Sequence, residues 1–287
     1  MNREQLTISS VRHYLSGNLS PHYQGRELNA IIRIILSHIS GKDHAFILAH
    51  PEHEIPSFNW FKVNKICDDL KNMVPVQYIT GVTEFYGIEL KVTEHTLIPR
   101  QETEELVGLI IKENRNTSPV ILDIGTGSGC IAISLAVNID GAQISATDRA
   151  DEIIAVATDN SNRNSVEINF MVDDILNPCI NKYGKYDLVV CNPPYIRESE
   201  KLNMEKNVLD FEPHQALFVP DDDPLLFYRA ALVLCSTVLK KYGYLYFEIN
   251  ETMGKEMTDL LINFGYHDIK IINDINGKAR ITKSRKA

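Results

Sequence analysis

The sequence predicts an α/β protein in which a doubly wound, mostly parallel sheet follows a small helical bundle and a β-hairpin linker. Apolar residues recur at helical spacing up to about Val74, and from about residue 95 short apolar runs alternate with helical segments. We therefore expect a helical domain over residues 1–74, a linker and hairpin over 75–95, and an α/β domain over 96–287.

Two amphipathic stretches indicate the helical part. In ELNAIIRIILSHIS the apolar side chains form one face, and Gly41 is a suitable end for that helix. The stretch SFNWFKVNKICDDLKNMV repeats the pattern, with Pro75 just beyond its end. With their neighbours they predict three to five short helices. The following segment EFYGIELKV, residues 84–92, predicts two strands around a glycine turn.

Five apolar runs in the second part are typical of buried strands. They are VILDIG (120–125), QISATD (143–148), INFMVDD (168–174), YDLVVCN (186–192) and GYLYFEIN (243–250). Helical stretches at Cys130–Asn138 and Asp151–Asn160 separate the first three runs, which favours parallel strands joined by crossover helices. Near the C-terminus, HDIKIIND and ARITKS flank a glycine-containing turn and predict a closing antiparallel pair.

Length, composition and charge favour a soluble globular protein. The 287 residues are 44% hydrophobic, enough for a substantial core, and no apolar run approaches the ~18 residues of a membrane span. The net charge of −9 argues against duplex nucleic acid as the main partner. Five scattered cysteines without a C-x-x-C pair predict neither disulfides nor a zinc site, and the first residues lack the apolar core of a signal peptide. We therefore expect a cytoplasmic protein without a metal or a membrane partner.

A glycine-rich turn follows the first predicted strand, in the stretch LDIGTGSGCIAISLA over residues 122–136. Gly125, Gly127 and Gly129 let the backbone turn sharply and approach a ligand closely, as in dinucleotide-binding folds. By itself this pattern also fits a plain tight turn between a strand and a helix. Acidic residues at the ends of three successive strands make us predict a Rossmann-like cofactor site instead.

Those acids are Asp123, Asp148 and Asp174. An acid at the end of the second strand suits a ribose diol, and one at the end of the third can accept a hydrogen bond from an exocyclic amine. Carboxylates beside the glycine turn favour a sulfonium cofactor with an ammonium tail over the pyrophosphate of NAD. The alternative is that these acids are helix caps or exposed strand ends. We predict S-adenosylmethionine as the cofactor.

The fourth strand ends in Asn192, Pro193, Pro194 and Tyr195. Proline cannot extend a sheet and restricts the residue before it, so this corner is stiff. The Asn192 side-chain oxygen and the Pro193 carbonyl can accept both protons of a planar –NH2 group, while Tyr195 packs against its plane. The arrangement predicts methylation of an amide or an aromatic amine, and the alternative is a simple strand-ending turn. We assign Asn192, Pro193 and Tyr195 to catalysis and all four residues to substrate binding.

Together these motifs closely resemble the PrmC/HemK family, the peptide chain release factor glutamine N5-methyltransferases. The resemblance covers nearly the whole chain. NPPYI and LDIGTGSGCIAISLA resemble the catalytic motifs of the family, and GRELNAIIRIILSHISG resembles its N-terminal helix. PVQYITGVTEFYGIELKV is similar to its linker and hairpin, TLIPRQETEELV to the segment leading into its catalytic domain, and DFEPHQALF and GKARIT to later landmarks.

The resemblance implies a Rossmann-like class I methyltransferase that acts on the glutamine of the Gly-Gly-Gln motif in class I release factors, with no stable nucleic-acid partner. The residues and the resemblance together imply these S-adenosylmethionine-binding positions: Asp123, Gly125, Thr126, Gly127, Ser128, Gly129, Asp148, Asp174, Ile175 and Asn192. NPPY also occurs in adenine methyltransferases of DNA and ribosomal RNA, so N6-adenine methylation is the second hypothesis. A non-catalytic cofactor-binding protein is the third, and the complete corner disfavours it.

Two positions depart from the family pattern. Gln101 replaces a usual proline, and Ile175 stands where many members carry an aromatic residue. In addition, the segment around the acidic run Asp221–Asp223 replaces a glycine-rich loop of many relatives, and the run itself is most simply a solvated loop.

Three charged residues near the start of the α/β domain have two interpretations each. Arg100 either positions an acid across the domain boundary or makes a surface salt bridge. Glu102 and Glu104 either line the mouth of the cofactor site or favour the first turn of a helix that starts near Thr103.

Overall fold

The computed structural model describes residues 6–55 and 58–287. The first five residues, to which the expectation about a signal peptide partly refers, lie outside the described residues, as do Pro56 and Ser57. Ser57 is the first residue of the second amphipathic stretch. Within the described ranges, no helix combines the length and the hydropathy that crossing a membrane requires.

The chain folds into two compact units. The smaller unit holds residues up to Gly81 together with Glu205–Phe211, and the larger holds Val82–Met204 and Glu212–Ala287. The N-terminal helices of the smaller unit are α1 (Ile8–Leu19), α2 (Gly25–Ser40), α3 (His44–Ala49), α4 (Trp60–Lys71) and α5 (Val76–Thr80). They confirm the predicted helical bundle.

Local residues set the ends of these helices. Thr7 begins α1 with a reciprocal cap: its hydroxyl accepts from the Ser10 amide at 3.1 Å, and the Ser10 hydroxyl accepts from the Thr7 amide at 2.9 Å. Helix α2 ends at Ser40 because Gly41 takes a left-handed conformation, with φ of 65°, as predicted. The buried faces of the five helices pack into one core, which includes Ile35.

A β-hairpin opens the larger unit. Strands β1 (Val82–Phe85) and β2 (Ile88–Lys91) pair antiparallel around the predicted glycine turn. The Tyr86 amide donates to Glu104 at 2.7 Å, and the backbone of Lys91 exchanges two hydrogen bonds with the Asn160 side chain, at 2.7 and 2.9 Å. These bonds attach the hairpin to two helices of the α/β region, which explains why it groups with the larger unit.

Strands and helices then alternate along the chain. The elements are α6 (Gln101–Asn114), β3 (Val120–Ile124), α7 (Cys130–Asn138), β4 (Gln143–Asp148), α8 (Asp151–Arg163), β5 (Asn169–Val172), β6 (Tyr186–Cys191), β7 (Ile196–Arg197), α9 (Lys206–Phe211), β8 (Phe218–Val219), α10 (Leu226–Val238), β9 (Leu239–Glu248), α11 (Gly254–Asn263), β10 (Tyr266–Asn273) and β11 (Ala279–Lys286). Seven strands form the main sheet in the order β10–β11–β9–β6–β3–β4–β5. Neighbours from β9 to β5 are parallel, whereas β11 is antiparallel to both β9 and β10. The predicted mostly parallel sheet and its closing antiparallel pair are confirmed.

The central strands are buried on both faces. In β6, Leu188 and Val190 belong to the core built with α6 and α7, while Val189 and Cys191 belong to the core built with α10 and α11. This double burial explains why the strand appears in the sequence as a continuous apolar run.

Several element boundaries differ from the prediction; β5, for example, ends at Val172 rather than at residue 174. Strand β9 begins at Leu239 rather than at residue 243, and α6 begins at Gln101 rather than near Thr103. Gly243, which suggested a strand start, lies inside the strand near an irregularity in its pairing with β6. A Cβ atom there would stand 2.9 Å from the Asp187 carbonyl oxygen, so the glycine permits close backbone packing.

Candidate active site

A cavity opens at the edge of the sheet where β3, β4, β5 and β6 end. Ligands of open α/β sheets bind beyond the carboxyl ends of the strands. Ten predicted site residues line the cavity: Gly125, Thr126, Gly127, Ser128, Asp148, Asp174, Ile175, Asn192, Pro193 and Pro194. Within the described part of the chain, Asp123, Gly129 and Tyr195 lie nearby in sequence but do not line it. The individual roles of all these residues stay predictions.

The three glycines of the turn serve different purposes. All adopt positive φ, at 73° for Gly125, 56° for Gly127 and 83° for Gly129. A Cβ atom on Gly125 or Gly127 would meet no atom within 4 Å, so at these two positions the backbone borders open space. A Cβ atom on Gly129 would stand 2.8 Å from the Cδ1 atom of Ile133 and 3.3 Å from the Cβ atom of Ala157. Gly129 therefore allows close helix packing, whereas the other two leave room for a ligand.

Asp148 ends β4 and holds the glycine turn. Its Oδ2 atom accepts from the Gly127 amide at 2.9 Å, and its Oδ1 atom accepts from the Arg149 amide at 2.8 Å. Burial raises the pKa of this carboxyl group, although the two backbone hydrogen bonds act against the rise. Each carboxylate oxygen keeps acceptor capacity for a further donor in the cavity.

Asp123 is fully buried behind the same turn. Its Oδ2 atom accepts from the Thr126 hydroxyl at 2.7 Å. Burial raises its pKa to about 7, and the hydrogen bonds from Thr126 and the Ala132 backbone oppose the rise. The side chain thus supports the turn from the protein interior. Because it does not line the cavity, any effect on a ligand's ammonium group would act without direct contact.

The third acid and its neighbours form the outer wall. Asp174 is exposed, and its Oδ1 atom accepts from the Leu176 amide at 2.9 Å. Ile175 and Leu176 line the cavity, and so does Phe227 in α10. Apolar side chains therefore line the cavity, although Ile175 stands where many family members carry an aromatic residue. The aromatic residue among them, Phe227, comes from a helix that the sequence analysis did not predict.

The Asn-Pro-Pro-Tyr corner rests on a buried acid. The Asn192 Nδ2 atom donates to Thr103 Oγ1 at 3.3 Å, and the Thr103 hydroxyl donates to Glu248 Oε2 at 2.6 Å. The Tyr195 hydroxyl donates to the other carboxylate oxygen, Oε1, at 3.0 Å. Asn192 and Pro193 face the cavity, whereas the hydroxyl of Tyr195 is directed to Glu248.

Arg100 and Glu104, at the start of α6, have structural partners. Arg100 pairs with Glu212 at 2.6 Å, and the Ile98 amide donates to the same buried carboxylate at 3.1 Å. Both ends of this pair lie in the larger unit, and the burial of Glu212 distinguishes it from a surface salt bridge. Glu104 accepts a hydrogen bond from the Tyr86 amide of the hairpin. Among the residues that the structure describes, neither Glu104 nor Glu102 lines the cavity. The interpretation that these two glutamates border the cofactor mouth is wrong.

The acidic run is not simply solvated either. Asp221 accepts from both the amide and the hydroxyl of Ser199, at 3.0 and 2.7 Å, and Asp223 pairs with Arg229. These bonds tie the loop to neighbouring segments of the larger unit.

Comparisons with known proteins agree with this architecture. Sequence profiles of the PrmC N-terminal domain and of the methyltransferase small domain match residues 11–81 and 103–211. The release factor glutamine methyltransferase of Flavobacterium psychrophilum is 40% identical over 283 residues, which cover 97% of this chain and 99% of that protein. The chain belongs to the release factor glutamine methyltransferase family.

Further similarities support the family and its fold. The release factor glutamine methyltransferase of Bacteroides thetaiotaomicron is 39% identical over 96% of this chain and 98% of that protein. A solved methyltransferase from Pyrococcus furiosus has a TM-score of 0.52 and 17% identity, covering 78% of this chain and 98% of that one, and at this identity it shows the fold alone. As a member of the release factor glutamine methyltransferase family, the chain uses S-adenosylmethionine as methyl donor.

The cavity of this family member fits that cofactor chemically. Open space borders Gly125 and Gly127, where the backbone can approach a ligand. Asp148 offers two carboxylate oxygens to hydroxyl donors, as a ribose requires. Phe227 and Ile175 provide apolar surface for a flat ring.

Sequence reasoning missed several residues of the site. Thr103 and Glu248 support Asn192, Glu212 holds Arg100, and Phe227 lines the wall. Glu248 had a usable signal, since an acid inside the apolar run GYLYFEIN has to be buried with a partner. Phe227 had none, because an aromatic residue in an amphipathic helix is ordinarily part of the core.

Proposed function

We propose that this enzyme methylates the side-chain amide nitrogen, N5, of the glutamine in the Gly-Gly-Gln motif of class I peptide chain release factors. The two relatives described above are named release factor glutamine methyltransferases, and they align over almost their whole length. The observation that carries the proposal is the state of Asn192, whose amide nitrogen is engaged by Thr103. Its side-chain oxygen is therefore left as an acceptor at the cavity.

The corner then performs two tasks. Asn192 Oδ1 and the Pro193 carbonyl accept from the two N–H groups of the substrate amide, which orients its nitrogen. Because both are acceptors, they stabilise the positive charge that develops on nitrogen during transfer. The methyl donor supplies an electrophilic methyl group on sulfur. No strong base is needed beforehand, because the nitrogen becomes acidic only as the new bond forms.

The substrate class is tested by offering labelled S-adenosylmethionine with release factor, DNA or ribosomal RNA in parallel. We expect label in the release factor and none in a matched factor whose motif glutamine is replaced by glutamate, which has no amide nitrogen. Label in RNA or DNA alone would contradict the proposal and favour N6-adenine methylation, because an exocyclic amine also carries two N–H groups. The absence of label from the release factor, the DNA and the ribosomal RNA would favour a non-catalytic role.

We further propose that the helical domain, residues 1–74 in the sequence-based division, docks the release factor and leaves the cavity free for the Gly-Gly-Gln loop. The unit carries no chemical motif in its described residues, yet two large apolar side chains are exposed: Leu48 at 59% and Phe61 at 79%. No stable nucleic-acid partner is expected. We also place the enzyme in the cytoplasm, where release factors work.

Phe61→Asp is expected to raise the KM for intact release factor several-fold, because a contact side chain is replaced by a charge that must be desolvated. The kcat and the affinity for S-adenosylmethionine should not change. Ile262→Asp is the matched control, since Ile262 is a 57% exposed apolar residue on α11 of the larger unit. Equal KM values for the two variants in steady-state assays would argue against docking through Phe61.

A further inference from the structure

We infer that Thr103 and Glu248 are positioning residues for methyl transfer. Together they fix the orientation of the Asn192 side-chain amide, so that its oxygen rather than its nitrogen faces the substrate. The inference rests on the proposed function, because it explains how Asn192 comes to offer an oxygen rather than a nitrogen to the substrate amide. Neither residue belongs to the glycine turn or to the Asn-Pro-Pro-Tyr corner. They reach the site from the first turn of α6 and from the last residue of β9.

The contacts form a single directional chain. Glu248 is 1% exposed and Thr103 is 2% exposed, so water cannot readily replace either partner. Thr103 Oγ1 lies 2.6 Å from Glu248 Oε2 and 3.3 Å from Asn192 Nδ2. A threonine hydroxyl has one proton to donate and lone pairs with which to accept. If one of its two neighbours accepts that proton, the other neighbour has to donate to the threonine oxygen.

The carboxylate determines the direction of that chain. An ionised Glu248 can only accept, so the Thr103 proton lies on the bond to Oε2. Thr103 Oγ1 then faces Asn192 as an acceptor, and the amide must present its nitrogen to it. In the opposite orientation, Asn192 Oδ1 would face Thr103 Oγ1. These two acceptors would have no proton between them in a buried site, which is unfavourable. The Asn192 oxygen is thereby directed away from Thr103.

Neighbouring groups favour the ionised, accepting form of Glu248. Tyr195 donates its hydroxyl to Oε1 at 3.0 Å, and burial together with the negative charge of Glu248 raises the pKa of Tyr195, so that it retains its proton. Burial also raises the pKa of Glu248, but the hydrogen bonds from Thr103 and Tyr195 and the charge of Arg280 oppose that rise. Tyr195 thus contributes through its hydroxyl, a role distinct from stacking on the substrate.

A neutral isostere should reverse the chain. In Glu248→Gln, the new amide can accept from Tyr195 with its oxygen and donate to Thr103 with its nitrogen. Thr103 would then donate to Asn192 Oδ1, and the Asn192 nitrogen would replace its oxygen at the cavity. Two donors facing each other cannot hold the substrate amide, so kcat should fall by at least about tenfold, the effect of one lost hydrogen bond of this kind.

Thr103 is tested with Thr103→Val, which keeps shape but removes the hydroxyl, and Thr103→Ser, which keeps the hydroxyl. We expect Thr103→Val to lower single-turnover methylation of release factor about tenfold, with S-adenosylmethionine affinity retained, and Thr103→Ser to restore most of the rate. In an Asn192→Ala background the valine change should cost less than about twofold, because coupled residues are not additive. Equal losses in both backgrounds, or no loss in either, would overturn the inference.

A second readout needs no release factor. The side-chain NH2 resonances of Asn192, assigned by their loss in Asn192→Ala, report its hydrogen bond directly by 15N NMR. We expect them to shift in Thr103→Val and in Glu248→Gln and to return towards the original position in Thr103→Ser. Unshifted resonances would overturn the inference. Shifted resonances in an enzyme that methylates no release factor would support the orientation and contradict the proposed function instead.

Discussion

Asn192→Ala is expected to slow methyl transfer to release factor by roughly 10²–10³-fold, the usual cost of removing one preorganised group that stabilises transition-state charge. The Pro193 carbonyl belongs to the backbone and survives the change, so one of the two acceptors remains. One substrate N–H is then left without a partner in the cavity. The measurement is the single-turnover rate at saturating S-adenosylmethionine, with the melting temperature recorded beside it.

The paired variant Asn192→Asp separates geometry from charge. Aspartate keeps an oxygen at the cavity, but it has no N–H to donate to Thr103, whose only proton already lies on the bond to Glu248. Two carboxylates would then compete for one hydroxyl, so we expect a slow enzyme that still binds the cationic cofactor. A merely structural asparagine predicts loss of stability and a proportionate loss of everything else. A folded Asn192→Ala enzyme with near-normal turnover would falsify the mechanism.

Asp148→Ala is expected to weaken S-adenosylmethionine binding about ten- to hundredfold. Charge-assisted hydrogen bonds donated to a desolvated carboxylate contribute about 1.5–3 kcal/mol, and ~1.4 kcal/mol corresponds to one decade of affinity. The structure adds a second reason, because the same carboxylate holds the Gly127 amide. Titration calorimetry with the cofactor measures the change.

Asp148→Asn serves as the control for that variant. It keeps one oxygen acceptor, which can hold either the turn or a ribose hydroxyl, so we expect an affinity between those of the wild type and of Asp148→Ala. Unchanged affinity in the alanine variant would show that the ribose is bound elsewhere. A fall in melting temperature without a fall in affinity would assign Asp148 to the turn alone.

Much of the fold and part of the site could be predicted from local patterns. Strand β6 was recognisable because it is buried on both faces and two prolines follow shortly after it, and α2 because its apolar face recurs and Gly41 ends it. Ten of the residues that line the cavity were predicted because strand ends and tight turns leave traces over a few neighbouring positions.

What could not be predicted depends on contacts between distant segments. Thr103 and Glu248 are 145 residues apart, and Arg100 and Glu212 are 112 apart. No local pattern says which buried acid meets which donor, because that is decided by how the elements pack. Glu104 is a further example, since its partner is a hairpin amide that no local pattern indicates.

The way in which the glycine turn is fastened to β4 bears on how quickly a ligand can associate. The amides of Gly125 and Thr126 donate to the Thr147 carbonyl at 2.9 and 3.0 Å, and that of Gly127 donates to Asp148. Three successive amides are thus already bonded, so the turn has lost its backbone freedom during folding rather than during association. We predict that the methyl donor binds at this turn, and its capture there would then require no ordering of the turn, so that its rate could follow encounter frequency.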